Sequence, residues 1–169
     1  MKNWHGIMKI LEVEHVREGE VIWSERNINN LLHTQGEFFV LSCAFDNDGA
    51  IVPANYYFGL DARPTVAIDD IMADLVDEPS TGGYSRQLVS SNGGFTISQT
   101  GGIYRAVGAV ITFTSAGAGY GPVNNLFLTN QSNNAGYLIS TAVLSSPITL
   151  TSGDSMNLRM AMQLSDISV

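Results

Sequence analysis

Three histidines, one cysteine and 16 carboxylates are the groups in this chain with the chemistry to move a proton, bind a metal or attack a carbonyl. Their spacing does not organise them. No two of His5, His15 and His33 stand four apart and none neighbours a cysteine pair, so the usual zinc templates are not met. Cys43 is single, which excludes an intrachain disulfide, and its apolar surroundings read as those of a packing residue. Asp46-Asn47-Asp48-Gly49 places its glycine too early for a calcium loop and lacks the distal glutamate. Asp69, Asp70, Asp74, Asp77 and Glu78 would spread around a helix axis as a solvated face. Gly82-Gly83 is followed by neither Lys-Ser/Thr nor a helix, so it is not a phosphate loop. No Gly-x-Ser-x-Gly elbow occurs, and the second half offers only Asp154 and Asp166 for paired-carboxylate work. The expectation is a protein that is not an enzyme, with no catalytic, cofactor or metal residues.

Side chains suited to binding are more evident. Tyr56-Tyr57-Phe58, followed by Asp61-Ala62-Arg63, could stack a sugar, although aromatics in a strand ordinarily serve the core. Trp4 and Trp23 are the two tryptophans, and with Ile7 and Met8 they make the opening segment a candidate protein interface.

The elements that must position these residues follow from periodicity. Asn27 to Phe45 carries apolar residues at helical spacing, predicting one substantial helix at about 29–45 with Leu31, Leu32, Gln35, Phe38, Phe39, Leu41, Ser42 and Phe45 on a broad buried face. Gly36 is its weak point. Before it, Ile7–Glu14 and Val21–Trp23 flank the polar turn Arg17–Glu20, as in a hairpin. Asp69 to Leu75 has the spacing of a short surface helix capped by Asp69.

Beyond Glu78 short strands alternate with Gly-, Asn- and Pro-rich turns: 84–89, 95–99, 104–113, 125–129, 137–144, 148–150 and 156–164. The fold class is mainly β, a β-sandwich or jelly-roll-like arrangement. Residues 1–26 would form an N-terminal hairpin or arm and 27–169 the sandwich core. The alternation of Met156, Leu158, Met160, Met162 and Leu164 predicts a Met-rich inner face against the helix.

Charge separates the two halves. The net charge is −8, and fourteen of the 16 acidic and six of the eight basic residues lie at or before Arg86. The scattered basic residues disfavour nucleic acid as a partner. No apolar run approaches a membrane span, and Lys9 and Glu12 interrupt any secretory core, so synthesis in the cytoplasm is expected, with no membrane partner.

Taken in order, Asn29-Asn30-Leu31-Leu32, Gln35-Gly36-Glu37, Tyr56-Tyr57-Phe58-Gly59-Leu60, Glu78-Pro79 to Tyr84-Ser85-Arg86, Gly121-Pro122-Val123 to Phe127-Leu128, and Ser152-Gly153-Asp154-Ser155 run nearly end to end. This order resembles a loose family of small structural proteins encoded by tailed bacteriophages. The resemblance implies a virion component made in the host cytoplasm. A capsid decoration (cement) protein that binds the major capsid protein or other virion proteins is the first expectation. A neck, tail or baseplate accessory is the second; apart from the resemblance, the sandwich fold and the Tyr56-Tyr57-Phe58 aromatics suggest a carbohydrate-binding module for host attachment as a third. The resemblance carries the first two. It also implies a homo-oligomer, with a trimer favoured.

Overall fold

The computed structural model describes residues 4–45, 53–90 and 94–166. They form eleven strands and one α-helix in two antiparallel sheets. The strands are β1 (Trp4–Arg17), β2 (Glu20–Asn29), β3 (Leu31–Leu32), β4 (Asn55–Asp61), β5 (Gln87–Ser90), β6 (Phe95–Thr100), β7 (Ile103–Gly108), β8 (Ile111–Thr114), β9 (Tyr120–Thr129), β10 (Leu138–Leu150) and β11 (Ser155–Asp166), with α1 spanning Thr34–Phe45. The first sheet runs β2-β1-β11-β7-β6, with β8 also pairing β11; the second runs β3-β10-β9-β4-β5. The mainly-β expectation holds.

The core lies between the sheets. Ile10 and Val13 of β1, Ile111 and Phe113 of β8, and Met156, Leu158 and Met160 of β11 meet Phe58 and Leu60 of β4, Val123, Leu126 and Leu128 of β9, and Ile139 and Leu144 of β10. The alternation of β11 holds as far as Met160, since Met156, Leu158 and Met160 are buried and Arg159 faces outward, but Ala161 is buried as well and Met162 only partly. The helix, however, does not cover them. It rests on β10 of the opposite sheet, so the methionine face fills the space between the sheets.

The helix is shorter than its spacing suggested, because residues 27–29 end β2 and Leu31–Leu32 form β3. Ile28 pairs with Ile10 and is buried there, and Leu31 and Leu32 pair with Thr141 and Ser140 of β10. Cross-strand pairing outweighs local helical periodicity in that stretch. The buried side also differs. Gly36, Phe39 and Ser42 face the protein, whereas Phe38, Leu41 and Phe45 are 57%, 58% and 84% exposed. The reason is Gly36. A Cβ there would sit 2.1 Å from the Ile139 carbonyl oxygen, so the missing side chain lets helix and strand backbones touch. Gln35 seals the contact by accepting the Leu138 N–H through Oε1 at 2.6 Å.

The N-terminal hairpin is present, and its first strand is an interior one: β1 lies between β2 and β11, paired with β11 from Trp4↔Asp166 to Val16↔Ser155 with one shift of register between Ile10 and Glu12. Two further boundaries shift. The single strand expected over 104–113 is split into β7 and β8, which pair with different stretches of β11. Conversely, Ser145–Pro147 is no break, since β10 runs through it with a change of register.

Residues 62–86 add a third layer over the outer face of the second sheet. The short helix expected over Asp69–Leu75 is a 3₁₀ turn at Met72–Asp74, with Asp74 Oδ2 accepting the Ile71 N–H. It is not a surface element. Met72 and Leu75 are buried against Phe127 and Leu138, which explains why β9 reads as the unbroken apolar run Leu126-Phe127-Leu128.

Substituting Gly36→Ala should therefore cost about 2–3 kcal/mol through backbone overpacking, lowering the thermal midpoint by roughly 5–10 °C in a chain of this size. Leu41→Ala, on the exposed side of the same helix, should leave it within about 2 °C. Thermal denaturation followed by circular dichroism distinguishes the two.

Candidate functional site

Four groups of polar side chains are drawn together by the fold, and their charged members are bonded within the protein, while His33 Nδ1 and Asn125 Oδ1 are buried with no hydrogen-bond partner. The most extended is centred on Arg86, which precedes β5. Its guanidinium lies 5.1 Å from the centroid of the Phe127 ring and is paired with the Glu78 carboxylate. It also donates to the Asn133 carbonyl and to Asn134 Oδ1. The tip of that ring lies against Gly59, where a Cβ would fall 2.0 Å from Phe127 Cζ. Glycine at this position makes room for the aromatic ring of the neighbouring strand. Tyr84 completes the group. Its hydroxyl donates to Glu78 Oε2 and accepts the Leu60 N–H, both at 2.9 Å, while its ring stacks on Phe113 at 6.0 Å. Burial and the adjacent Glu78 carboxylate hold the phenol well above its usual range, so Tyr84 acts as a neutral donor.

A second group surrounds Asp154, in the turn between β10 and β11. Arg17 binds its carboxylate in a fork, Nε to Oδ1 at 2.9 Å and Nη2 to Oδ2 at 2.8 Å. His15 Nε2 lies 2.9 Å from Oδ2, which also accepts the backbone N–H and hydroxyl of Thr151. The Arg17 bonds, then His15 and Thr151, hold the Asp154 carboxyl far below the usual carboxylate range against the opposing effect of burial. A carboxylate bonded in this way and 1% exposed is a structural anion, turned away from any substrate.

The third group joins β4 to the outer layer. Asp61, fully buried, accepts the Arg63 N–H and the Asn125 side-chain amide on Oδ1, and the Asp77 N–H on Oδ2. Arg63 also pairs with Asp70, whose Oδ2 receives the Ala67 N–H. The fourth is His33, fully buried with Nε2 2.9 Å from Thr141 Oγ1. Burial pushes its imidazole down, only partly offset by the carbonyls of Ile68 and Ala67.

No catalytic constellation emerges from these groups. Among the described residues no cluster of three or more His, Cys, Asp or Glu is arranged to hold a metal. Burial pushes the Cys43 thiol up, away from a reactive thiolate. The Asp46–Gly49 stretch lies outside the described residues. Open depressions among the described residues include one of about 460 Å³ beside Thr96, Ser98 and Arg159 and one of about 400 Å³ beside Asp77, Thr81 and Pro122.

The binding candidates fare unevenly. Phe58 is sealed in the core, and Tyr56 is wedged edge-on between Phe39 and Phe95, each 6.2 Å away. With two of the three rings committed inward, the segment presents no stacking platform. Trp23 is half-buried and packs against the core. The backbones of Trp4, Ile7 and Met8 are paired with β11 opposite Asp166, Gln163 and Met162; their side chains lie outside the described residues.

What the sequence reading assigned to the core, and the fold instead turns outward, is the far side of α1. Phe38, Leu41 and Phe45 recur at i, i+3 and i+7 along it, and the Phe38 ring meets Tyr137 at 6.0 Å. An apolar helix face left in water is the mark of a surface made to be covered. The signal was present in the sequence, as a helix too apolar all round to have one wet face. Searches against family models and curated proteins found none that matches the chain.

The buried ionisable groups make stability depend on pH in two windows. The unfolded chain protonates His33 near its ordinary value of about 6.5, while the folded chain resists. Stability therefore falls as pH drops below that value, and His33→Gln should flatten this slope. Asp154 acts lower. Stability is lost as pH falls through about 4, where the unfolded carboxyl gains a proton that the folded one refuses. Urea midpoints at successive pH values, with and without His33→Gln, check both. Arg86→Met should cost about 3–5 kcal/mol by stranding Glu78, read from the same denaturation curves.

Proposed function

We propose that this protein is a structural component of a tailed-bacteriophage particle, with head decoration as the leading assignment, held in place by protein–protein contacts through the outer face of α1. The observation that carries the reading is the exposed apolar stripe Phe38, Leu41 and Phe45 on a helix whose opposite side is fixed against β10. A rigid helix presenting three large apolar side chains is a helix-in-groove anchor, in which a few buried residues supply most of the binding energy.

Two further features support it. The carboxylates of Asp61, Glu78 and Asp154 are held in internal bonds, as expected of a part selected for durability more than for turnover. The order of motifs along the chain resembles that of small virion proteins, and two of those motifs, Glu78 to Arg86 and Gly153-Asp154, are the ones that lock the sandwich.

The decisive measurement is the number of copies of this chain per purified particle, by quantitative mass spectrometry against the major capsid protein. Hundreds of copies indicate the head, and about six or twelve a neck or baseplate position. Absence from particles would overturn the assignment. Leu41→Asp and Phe45→Asp should leave the thermal midpoint within about 2 °C, because both side chains are exposed. Each should reduce incorporation at least tenfold, as expected when an interface anchor loses roughly 1.4 kcal/mol or more.

A further inference from the structure

Among the described residues five strands have an unpaired side, β2, β6 and β8 in the first sheet and β3 and β5 in the second, and four of them are blunted. β3 is two residues long, and β5 and β8 are four each. β2 is long, yet it carries Glu20, Glu25 and Arg26. Glu25 is tied to the backbone N–H and hydroxyl of Ser145, and the pairing of β2 with β1 shifts register at His15/Val16. Charges, bulges and short length are the ordinary means by which an edge avoids pairing with another chain.

β6 uses none of them. Its six residues, Phe-Thr-Ile-Ser-Gln-Thr, include no charge and no proline, and they pair with β7 in unbroken register from Phe95↔Gly108 to Thr100↔Ile103. Thr96 to Gln99 are exposed on both faces of the sheet. On the core-facing side Phe95 reaches Tyr56 and is partly covered, but Ile97 and Tyr104, further along the same face, are 67% and 64% exposed. An unprotected edge thus borders an uncovered apolar pair.

We infer that β6 is the surface through which two copies of this chain join, edge to edge and antiparallel, making one continuous sheet across a two-fold axis. The choice of a second copy as occupant rests on charge. A protein of net charge −8 repels itself through most of its surface, and the acidic excess lies at or before Arg86. Two β2 edges would bring Glu20 and Glu25 of both copies together. Two β6 edges bring no charge together in any register, and their Thr, Ser and Gln side chains are self-complementary across the axis. Pairing would join two six-stranded sheets and place the Ile97 and Tyr104 of each copy beside those of the other. The contact is small, so association falls in the micromolar range typical of short edge interfaces. It uses a surface separate from α1 and is independent of the particle assignment.

Analytical ultracentrifugation of the full chain tests it. Over about a hundredfold range of concentration bracketing a micromolar constant, the weight-average mass should climb from 18.2 kDa toward twice that value. Thr96→Lys and Ile97→Lys, on opposite faces of β6, should each weaken the dimer at least tenfold by setting like charges across the axis, with unchanged thermal midpoints. Leu41→Lys on α1 should leave the dimer intact. A wild-type chain that stays at 18.2 kDa throughout, a trimeric mass, or a dimer indifferent to both β6 substitutions would each overturn the inference.

Discussion

Strand β9 places large apolar side chains on both of its faces, and the rest of the architecture answers to that. Leu126 and Leu128 point between the sheets, while Phe127 points away from them. A two-layer sandwich would leave Phe127 in water. The chain therefore lays residues 62–86 across the outer face, with Met72 and Leu75 filling the space around the ring and Arg86 closing over it. Burying one phenylalanine in this way contributes about 2–3 kcal/mol, and it commits the covering segment to a fixed path.

A segment that crosses a sheet without joining it brings backbone and charged groups into a dry layer, where each must find a partner. Asp61 anchors the start of the crossing by taking the Asp77 N–H and bracing Arg63, and Glu78 with Arg86 anchors its end. His33 sits beneath the middle, bonded to Thr141 of β10. The ionisable residues most conspicuous in the sequence are thus structural fastenings. Buried ion pairs stabilise little against an apolar alternative, but losing one partner is costly, so such fastenings define the path of the segment more than they strengthen it.

How much of this was legible follows from the range of the interactions. The alternation of β11 is local, and Met156, Leu158 and Met160 are buried as it dictates. Glu78, Tyr84 and Arg86 are close in sequence and were recognised as a motif, although their common focus on Phe127 was not. The helix was located but wrongly faced, because Gly36 reads as a defect until the Ile139 backbone is seen against it. Met72 and Leu75 have helical spacing and carry it only for one 3₁₀ turn, since their partners lie in β9 and β10. The Asp154 group was invisible. His15 and Arg17 stand more than 130 positions from Asp154, and no local pattern records which distant strand will lie alongside.

That same separation bears on how the chain reaches its native state. β1, an interior strand, has β11 as its partner along almost its whole length, and the Arg17–Asp154 fork closes the join at one end. Closing a loop of this size carries an entropic cost that must be met before the pairing rewards it. During synthesis the first strand emerges long before its partner exists. The β1–β2 hairpin has then only half of its hydrogen-bonding complement, and the first sheet cannot be completed until β11 has left the ribosome. Assembly of that sheet is accordingly a late, cooperative event, and the hairpin is the region most exposed to mispairing while it waits.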